Sequence, residues 1–231
     1  FMQRAYDMLI HDVALQDLPV RLCMDRAGLS GDDGPTHHGL FDIGYLRGVP
    51  GIIQMAPKDE AELVAMLTWM ASYDDGPTAI RYPRGEIRGT ALDAPVEPIE
   101  LGKGELISEG TDVALIGLGT MFDMAVETKA RLEEQGLSVA LVNPRFIKPM
   151  DEELIKQVAR ECRVLCTFED HVLHNGFGCG VIEMLHDAGI GTPVERIGWP
   201  DEFVEHGKVE ILRGLHGLTP ERAVELVQKH L

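Results

Sequence analysis

Apolar residues recur along this chain in two alternating rhythms, one of period near 3.6 and one of short continuous runs. Met2, Tyr6, Leu9 or Ile10, and Val13 return at helical spacing, which predicts a helix over residues 1–16. No Ser, Thr, Asp or Asn precedes it as a cap, so the chain is expected to continue upstream of Phe1. Pro19–Asp25 predicts a short buried strand. It empties into RAGLSGDDGPTHHG, a stretch too rich in Gly, Asp and Pro for regular structure. Gly51–Ala56 predicts a second strand, Asp59–Met70 an amphipathic helix with Leu63, Met66, Leu67 and Met70 on its apolar face, and Thr78–Tyr82 a third strand ending in PRG.

Residues 86–104 break the rhythm. They are rich in Pro and Gly without a period and predict a linker. Beyond it the alternation resumes, with strands over Asp112–Gly117, Ser138–Val142, Val164–Glu169 and Pro193–Ile197. Helices are expected over Met121–Gln135, Asp151–Arg160, Gly178–Asp187, Val209–Leu215 and Pro220–His230, the last capped by Thr219 with Pro220 at its first position. Strand–helix alternation on both sides of the linker predicts an α/β protein of two domains, 1–97 and 98–231, each with a mainly parallel sheet covered by helices.

Charge narrows the partners. With 38 acidic and 21 basic residues the formal net charge is −17, which repels a nucleic-acid backbone. An acidic protein that takes an anionic substrate has to concentrate its arginines locally. No apolar run approaches the ~20 residues of a membrane span, and the acid-bearing amphipathic start resembles neither a secretory signal nor a transit peptide. A cytoplasmic protein without membrane partners is expected. Cys23, Cys162, Cys166 and Cys179 are scattered, with no CxxC pair, and read as reduced thiols.

Ligands of open parallel sheets sit beyond the carboxyl ends of the strands. Two such loops in the first half carry unusual chemistry: one holds Arg26, Asp32, Asp33, His37 and His38, the other is Arg81-Tyr82-Pro83-Arg84-Gly85. Guanidinium forks from neighbouring loops would cradle a phosphomonoester, and an imidazole beside them would pass protons near neutral pH. The same residue types also serve turn geometry alone, and composition does not separate the two. Weaker signals read as structure. Gly117-Leu118-Gly119 lacks the third glycine of a dinucleotide turn, since Phe122 stands there, and predicts a tight strand–helix turn. Glu169, Asp170, His171 and His174 predict a strand-end turn rather than a metal site. His186, His206, His216 and His230 read as surface or helix-end residues, and the methionines as core filler.

The segments FMQRAYDMLIHDVALQ, DRAGLSGDDGPTHHG and RYPRG resemble 1-deoxy-D-xylulose-5-phosphate synthases, transketolase-like thiamine-diphosphate enzymes. GLGT at 117–120, VNPRFIKPMD and EDHVLHNGFG are similar to the C-terminal domain of the same family, so the resemblance covers essentially the whole chain. It implies part of a pyrimidine-binding domain followed by a transketolase C-terminal domain. It also implies a decarboxylative condensation of pyruvate with glyceraldehyde 3-phosphate, an early step toward isoprenoid precursors.

Carried over residue by residue, the resemblance places Phe1 against the cofactor's aminopyrimidine ring. Arg26 and Arg84 fall on the acceptor phosphate, His37 at the acceptor aldehyde as a proton shuttle, and Asp33 in the same hydrogen-bond network. Arg4 falls on the helix lining that site. The implied cofactors are thiamine diphosphate and Mg2+. The activating glutamate and the Mg2+ and diphosphate ligands are expected upstream of these 231 residues, so the chain alone is expected to be inactive, working with the N-terminal part of the same enzyme in a homodimer. Two rival readings stay open. One is another enzyme of the superfamily, a transketolase or a 2-oxoacid dehydrogenase β subunit. The other is a non-catalytic split subunit that completes a partner chain's site.

Overall fold

The computed structural model describes residues 2–86, 89, 95–96 and 98–231. Its first half opens with a continuous run of helical turns from Met2 to Gln16, irregular in pitch. A 3-10 turn over Met2–Ala5 passes into α1 (Tyr6–Met8), a π-turn over Leu9–Val13 and a 3-10 turn over Ala14–Gln16. The predicted apolar face is the one that packs: Leu9 and Ala14 are buried, with Met2, Tyr6, Ile10 and Val13 against the same cluster. The first α-helical turn carries no side-chain cap.

Strands β1 (Arg21–Met24), β3 (Thr78–Arg81) and β2 (Ile53–Met55) pair in parallel in the order β1-β3-β2. One face of this sheet carries the N-terminal helical run and α2 (Asp42–Arg47), while α3 (Glu60–Ser72) covers the other. β1 is an edge strand and only half buried, not the buried strand the sequence predicts. Both α2 and the strand β4 (Glu105–Ser108) lie outside the elements read from the sequence.

The second sheet runs β4 (Glu105–Ser108), β6 (Val139–Asn143), β5 (Val113–Gly117), β8 (Val164–Val172), β9 (Val194–Trp199). Only β4 is antiparallel to its neighbour. Alternation along its central strands sends Val113, Leu115, Val164 and Cys166 to a core shared with α4 (Phe122–Glu133) and α8 (Pro220–Gln228). Ala114, Ile116, Ala140 and Leu165 face α5 (Glu152–Glu161) and α6 (Phe177–Asp187) on the other side. Both faces of the central strands are therefore buried, as near-continuous apolar runs require. Asp151 and Thr219 cap α5 and α8 through backbone N–H groups at 3.2 Å. A short helix, α7 (Val209–Leu215), lies between β9 and α8.

The two halves are stitched together. Strand β7 (Phe146–Lys148), absent from the sequence-based reading, leaves the second half and adds antiparallel to β2, and Phe146 fills the core under α3. The apolar face predicted for α3 is displaced by one polar partner. Glu62 is fully buried, because its carboxylate receives Arg145 and Asn143 from the second half at 2.8 Å each. Leu67, predicted on the apolar face, is exposed, as is Val64. Met66 and Met70 are buried as expected. None of the helices among the described residues is long and apolar enough to cross a membrane.

Candidate active site

The loop after β1 and the turn after β3 meet at the carboxyl edge of the first sheet. Ala27 N donates to Tyr82 O at 3.0 Å and Tyr82 N to Met24 O at 3.1 Å, so the strand ends carry the two loops side by side. Asp33 then draws the arginines together. Its Oδ2 accepts Arg84 at 2.7 Å and faces Arg26 at 3.3 Å. The hydrogen bond from Arg84 holds the Asp33 carboxyl below its usual value, and the charges of Arg84, Arg26 and His37 act in the same direction. The clamp therefore persists at neutral pH and loosens only in acid. Both guanidiniums remain open to solvent, with side-chain exposures of 42% for Arg26 and 55% for Arg84, so an incoming anion reaches them.

Arg26 and His37 line a cavity of about 370 Å3, whose other wall is formed by Met2, Ala5, Met24, Phe41 and Tyr45. The His37 ring lies 2.9 Å from Thr36 Oγ1 through Nδ1. Its neighbour His38 is committed elsewhere: it is buried, Nδ1 accepts from Ser30 N at 3.2 Å, and Nε2 lies 3.2 Å from Glu205 O. A nitrogen that accepts an N–H carries no proton, so His38 is a neutral Nε2–H tautomer holding the loop to the second half. The structure thus brings Arg26, Asp33, His37 and Arg84 together. Arg4 is exposed, and the cavity wall is made by its neighbours Met2, Gln3 and Ala5 instead. Phe1 lies outside the described residues.

The five-residue turn RYPRG splits into two roles. Arg81 is buried, with Nε and Nη2 on Asp42 at 2.7 and 3.2 Å and Nη2 on Asp170 O at 3.0 Å. It ties α2 to β8, so Arg84 is the solvent-exposed member of the pair. Asp42 was not legible as a partner, since α2 itself is too short for a periodic signal.

The acidic–histidine run at 169–174 is corrected too. β8 continues through Val172, so Glu169, Asp170 and His171 are buried strand residues rather than a turn. Glu169 accepts Phe177 N at 2.6 Å and Gly178 N at 3.0 Å, capping α6. A Cβ on Gly176 would stand 2.2 Å from Glu169 Oε2, which explains the glycine in NGFG. His171 Nε2 accepts Gly44 N at 3.1 Å at the start of α2, so Nδ1 carries the proton and donates to Val172 O at 2.6 Å. Among the described residues no group of three His, Cys, Asp or Glu is arranged to hold a metal ion.

Burial pushes the Glu169 carboxyl up to about 7, against the opposing pull of the Gly178 and Phe177 amides and of Arg81 and Arg196. For an acid whose folded value is raised, the folded state binds the proton more tightly than the unfolded chain does. Its contribution is fully present below the unfolded value and is lost as pH rises through about 7. Relative to Glu169→Gln, the wild-type protein is therefore expected to lose unfolding free energy between pH 5 and 8, at up to roughly 1.4 kcal/mol per pH unit. Parallel urea-denaturation series at several pH values check this. A wild-type–variant difference independent of pH contradicts it.

A two-domain α/β chain with an Arg26–Asp33–Arg84 cluster beyond the first sheet matches known proteins throughout. The chain belongs to the transketolase family: the sequence model of the transketolase pyrimidine-binding domain matches residues 1–90, and that of the transketolase C-terminal domain matches residues 102–223. Among curated relatives, 1-deoxy-D-xylulose-5-phosphate synthase of Acidobacterium capsulatum is 52% identical over 231 residues, 100% of this chain and 37% of that protein. The synthase of Methylacidiphilum infernorum is 54% identical over 225 residues, 97% of this chain and 36% of that protein. A solved structure described as a split gene transketolase, inactive beta4 tetramer, superposes with a TM-score of 0.85 at 30% identity, covering 99% of this chain and 71% of that chain. The chain thus spans little more than a third of the length of these curated relatives.

Proposed function

We propose that this chain supplies the acceptor side of a 1-deoxy-D-xylulose-5-phosphate synthase, which joins pyruvate to glyceraldehyde 3-phosphate with loss of CO2. The observation that carries the reading is the Arg26–Asp33–Arg84 clamp, whose Arg26 lines a partly apolar cavity together with His37. Two forked cations suit the dianionic phosphate of a triose. With the phosphate held there, the aldehyde of a three-carbon acceptor extends toward the cavity that His37 lines. An imidazole at that place donates a proton to the alkoxide formed as the new carbon–carbon bond closes, and fixing the acceptor makes the addition effectively unimolecular.

Thiamine diphosphate, when bound, supplies the electron sink for decarboxylation. The apolar wall of Met2, Met24 and Phe41 fits the flat ring end of such a group. The described residues do not fit Mg2+, which needs several oxygen ligands in one place. The metal and the diphosphate are assigned to the remainder of the assembled enzyme. In this reading the protein acts in the cytoplasm, and a homodimer is the expected assembly.

Donor choice tests the proposal. The full-length protein, with thiamine diphosphate and Mg2+, is expected to turn over pyruvate with glyceraldehyde 3-phosphate and to leave xylulose 5-phosphate untouched as donor. Turnover of xylulose 5-phosphate with pyruvate inert would make it a transketolase instead. The match to a split-gene transketolase supports a second reading, in which the chain is a separate subunit completing a partner's site. Denaturing mass measurement of the purified native protein separates the two: a 25.5 kDa polypeptide accompanied by a second chain supports the subunit reading, whereas one polypeptide as long as the relatives overturns it.

A further inference from the structure

We infer that Asp170 is a positioning residue for the acceptor site, fixing the backbone of the 26–39 loop from the opposite sheet. The inference rests on the reading of that loop as the place where the acceptor phosphate and aldehyde are held.

Asp170 lies near the end of β8, with its side chain only 7% exposed. Its Oδ1 accepts Trp199 Nε1 at 2.6 Å and Leu29 N at 3.2 Å, and its Oδ2 accepts Arg213 at 3.2 Å. Three donors converge on this carboxylate, and two of them, Trp199 and Arg213, belong to the second half and hold it still. The third is the loop itself. Gly28 passes so close that a Cβ there would stand 2.3 Å from Oδ2, and its φ of +80° is one that glycine adopts without strain.

The point of contact is the neck of the loop. Gly28 and Gly39 exchange N–H···O bonds of 2.8 Å in both directions, so the outgoing and returning strands of the loop are joined where Asp170 touches them. Arg26 stands two positions before Gly28, and His37 two positions before Gly39. A displacement of the neck therefore moves the phosphate cation and the imidazole together. Neither contacts Asp170 directly, which makes this a role in placement and not in the reaction.

Asp170→Asn in the full-length protein tests the inference. The amide cannot satisfy three donors, because its NH2 has to face either Arg213 or the Trp199–Leu29 pair. The expected result is a rise in KM for glyceraldehyde 3-phosphate of roughly tenfold, in line with the cost of small misplacements, with KM for pyruvate unchanged. Hydrogen exchange of peptides spanning 26–40 should quicken at the same time. Trp199→Phe, which removes one of the two bonds steadying the carboxylate but leaves the Leu29 contact in place, should move both readouts in the same direction by less.

Where Asp170→Asn fails to fold, Arg213→Gln provides the second variant. It removes the partly exposed cation that steadies the carboxylate, and the same split is expected in smaller measure. Loss of thermal stability and of active fraction, with both KM values and the 26–40 exchange unchanged, is what a merely structural residue gives and would overturn the inference. Arg84→Ala serves as the reference. If it too leaves the acceptor KM unchanged, the acceptor-site reading has failed, and the exchange measurement still judges the positional claim.

Discussion

Replacing Asp42 by Ala is expected to destabilise the protein by about 3–5 kcal/mol, the cost of stranding one charge of a buried pair. Arg81 is almost completely enclosed and spends two of its bonds on Asp42, at 2.7 and 3.2 Å. Its remaining partners among the described residues are the carbonyls of Asp170 and Gly39, which offer partial rather than full negative charge. Without Asp42 the guanidinium would have to draw in water, shifting α2, or remain uncompensated. The double variant Asp42→Leu, Arg81→Met removes both charges and should recover most of the loss, because well-packed apolar substitutes for a buried ion pair often cost little. Urea-denaturation midpoints of the three proteins check this, and a loss below about 1 kcal/mol for the single variant would place the pair in the class of surface bridges.

The other large effect falls on binding. Arg26→Ala or Arg84→Ala in the full-length protein should each raise KM for glyceraldehyde 3-phosphate roughly 10- to 100-fold, since a hydrogen bond between charged groups contributes about 1.5–3 kcal/mol. KM for pyruvate should stay within about twofold, because an interaction made only with the acceptor cannot be lost by the donor. Removing Arg84 has a second consequence: Asp33, which takes its shorter bond from Arg84, is left to Arg26 alone and neutralises the remaining cation. Arg84→Ala is therefore expected to be the more damaging of the two. Arg84→Lys keeps the charge but loses the planar fork and should lie between wild type and alanine. Steady-state kinetics with each substrate varied in turn checks all three.

How much of this was legible in the sequence differs by element. The central strands of the second sheet, β5, β6 and β8, are buried on both faces, and Asp151 and Thr219 cap two of the helices packed on them, so their order and type could be read directly. Three elements were not legible for a common reason. α2, β4 and β7 are six residues or fewer, too short to display a period, and β7 is a strand only because β2 offers it an edge. Periodicity counts apolar residues, so it placed the exposed Leu67 on the buried face of α3 and could not anticipate that a glutamate, Glu62, is buried by a partner from the other half. At the site, the DG-x-THHG loop and RYPRG gave the right neighbours, but not the division of labour within them. Arg81 and Arg84 are the same residue type three apart, as are His37 and His38 side by side. Only the partners, Asp42 for one arginine and Ser30 and Glu205 for one histidine, show which member is structural. The run Glu169-Asp170-His171 closing an apolar strand was the available signal for the interface between the halves. Charged residues that continue a buried strand mark partners waiting on another element.

The central claim is that Arg26 and Arg84 hold the acceptor's phosphate. The most direct measurement is kcat/KM of the full-length protein for glyceraldehyde 3-phosphate and for glyceraldehyde, with pyruvate saturating, in wild type and in the Arg26→Ala, Arg84→Ala double variant. The account predicts a strong preference for the phosphorylated acceptor in the wild type that collapses by about two orders of magnitude or more in the double variant, with turnover of the unphosphorylated aldehyde little changed. A preference that survives loss of both arginines would contradict it and place the phosphate elsewhere.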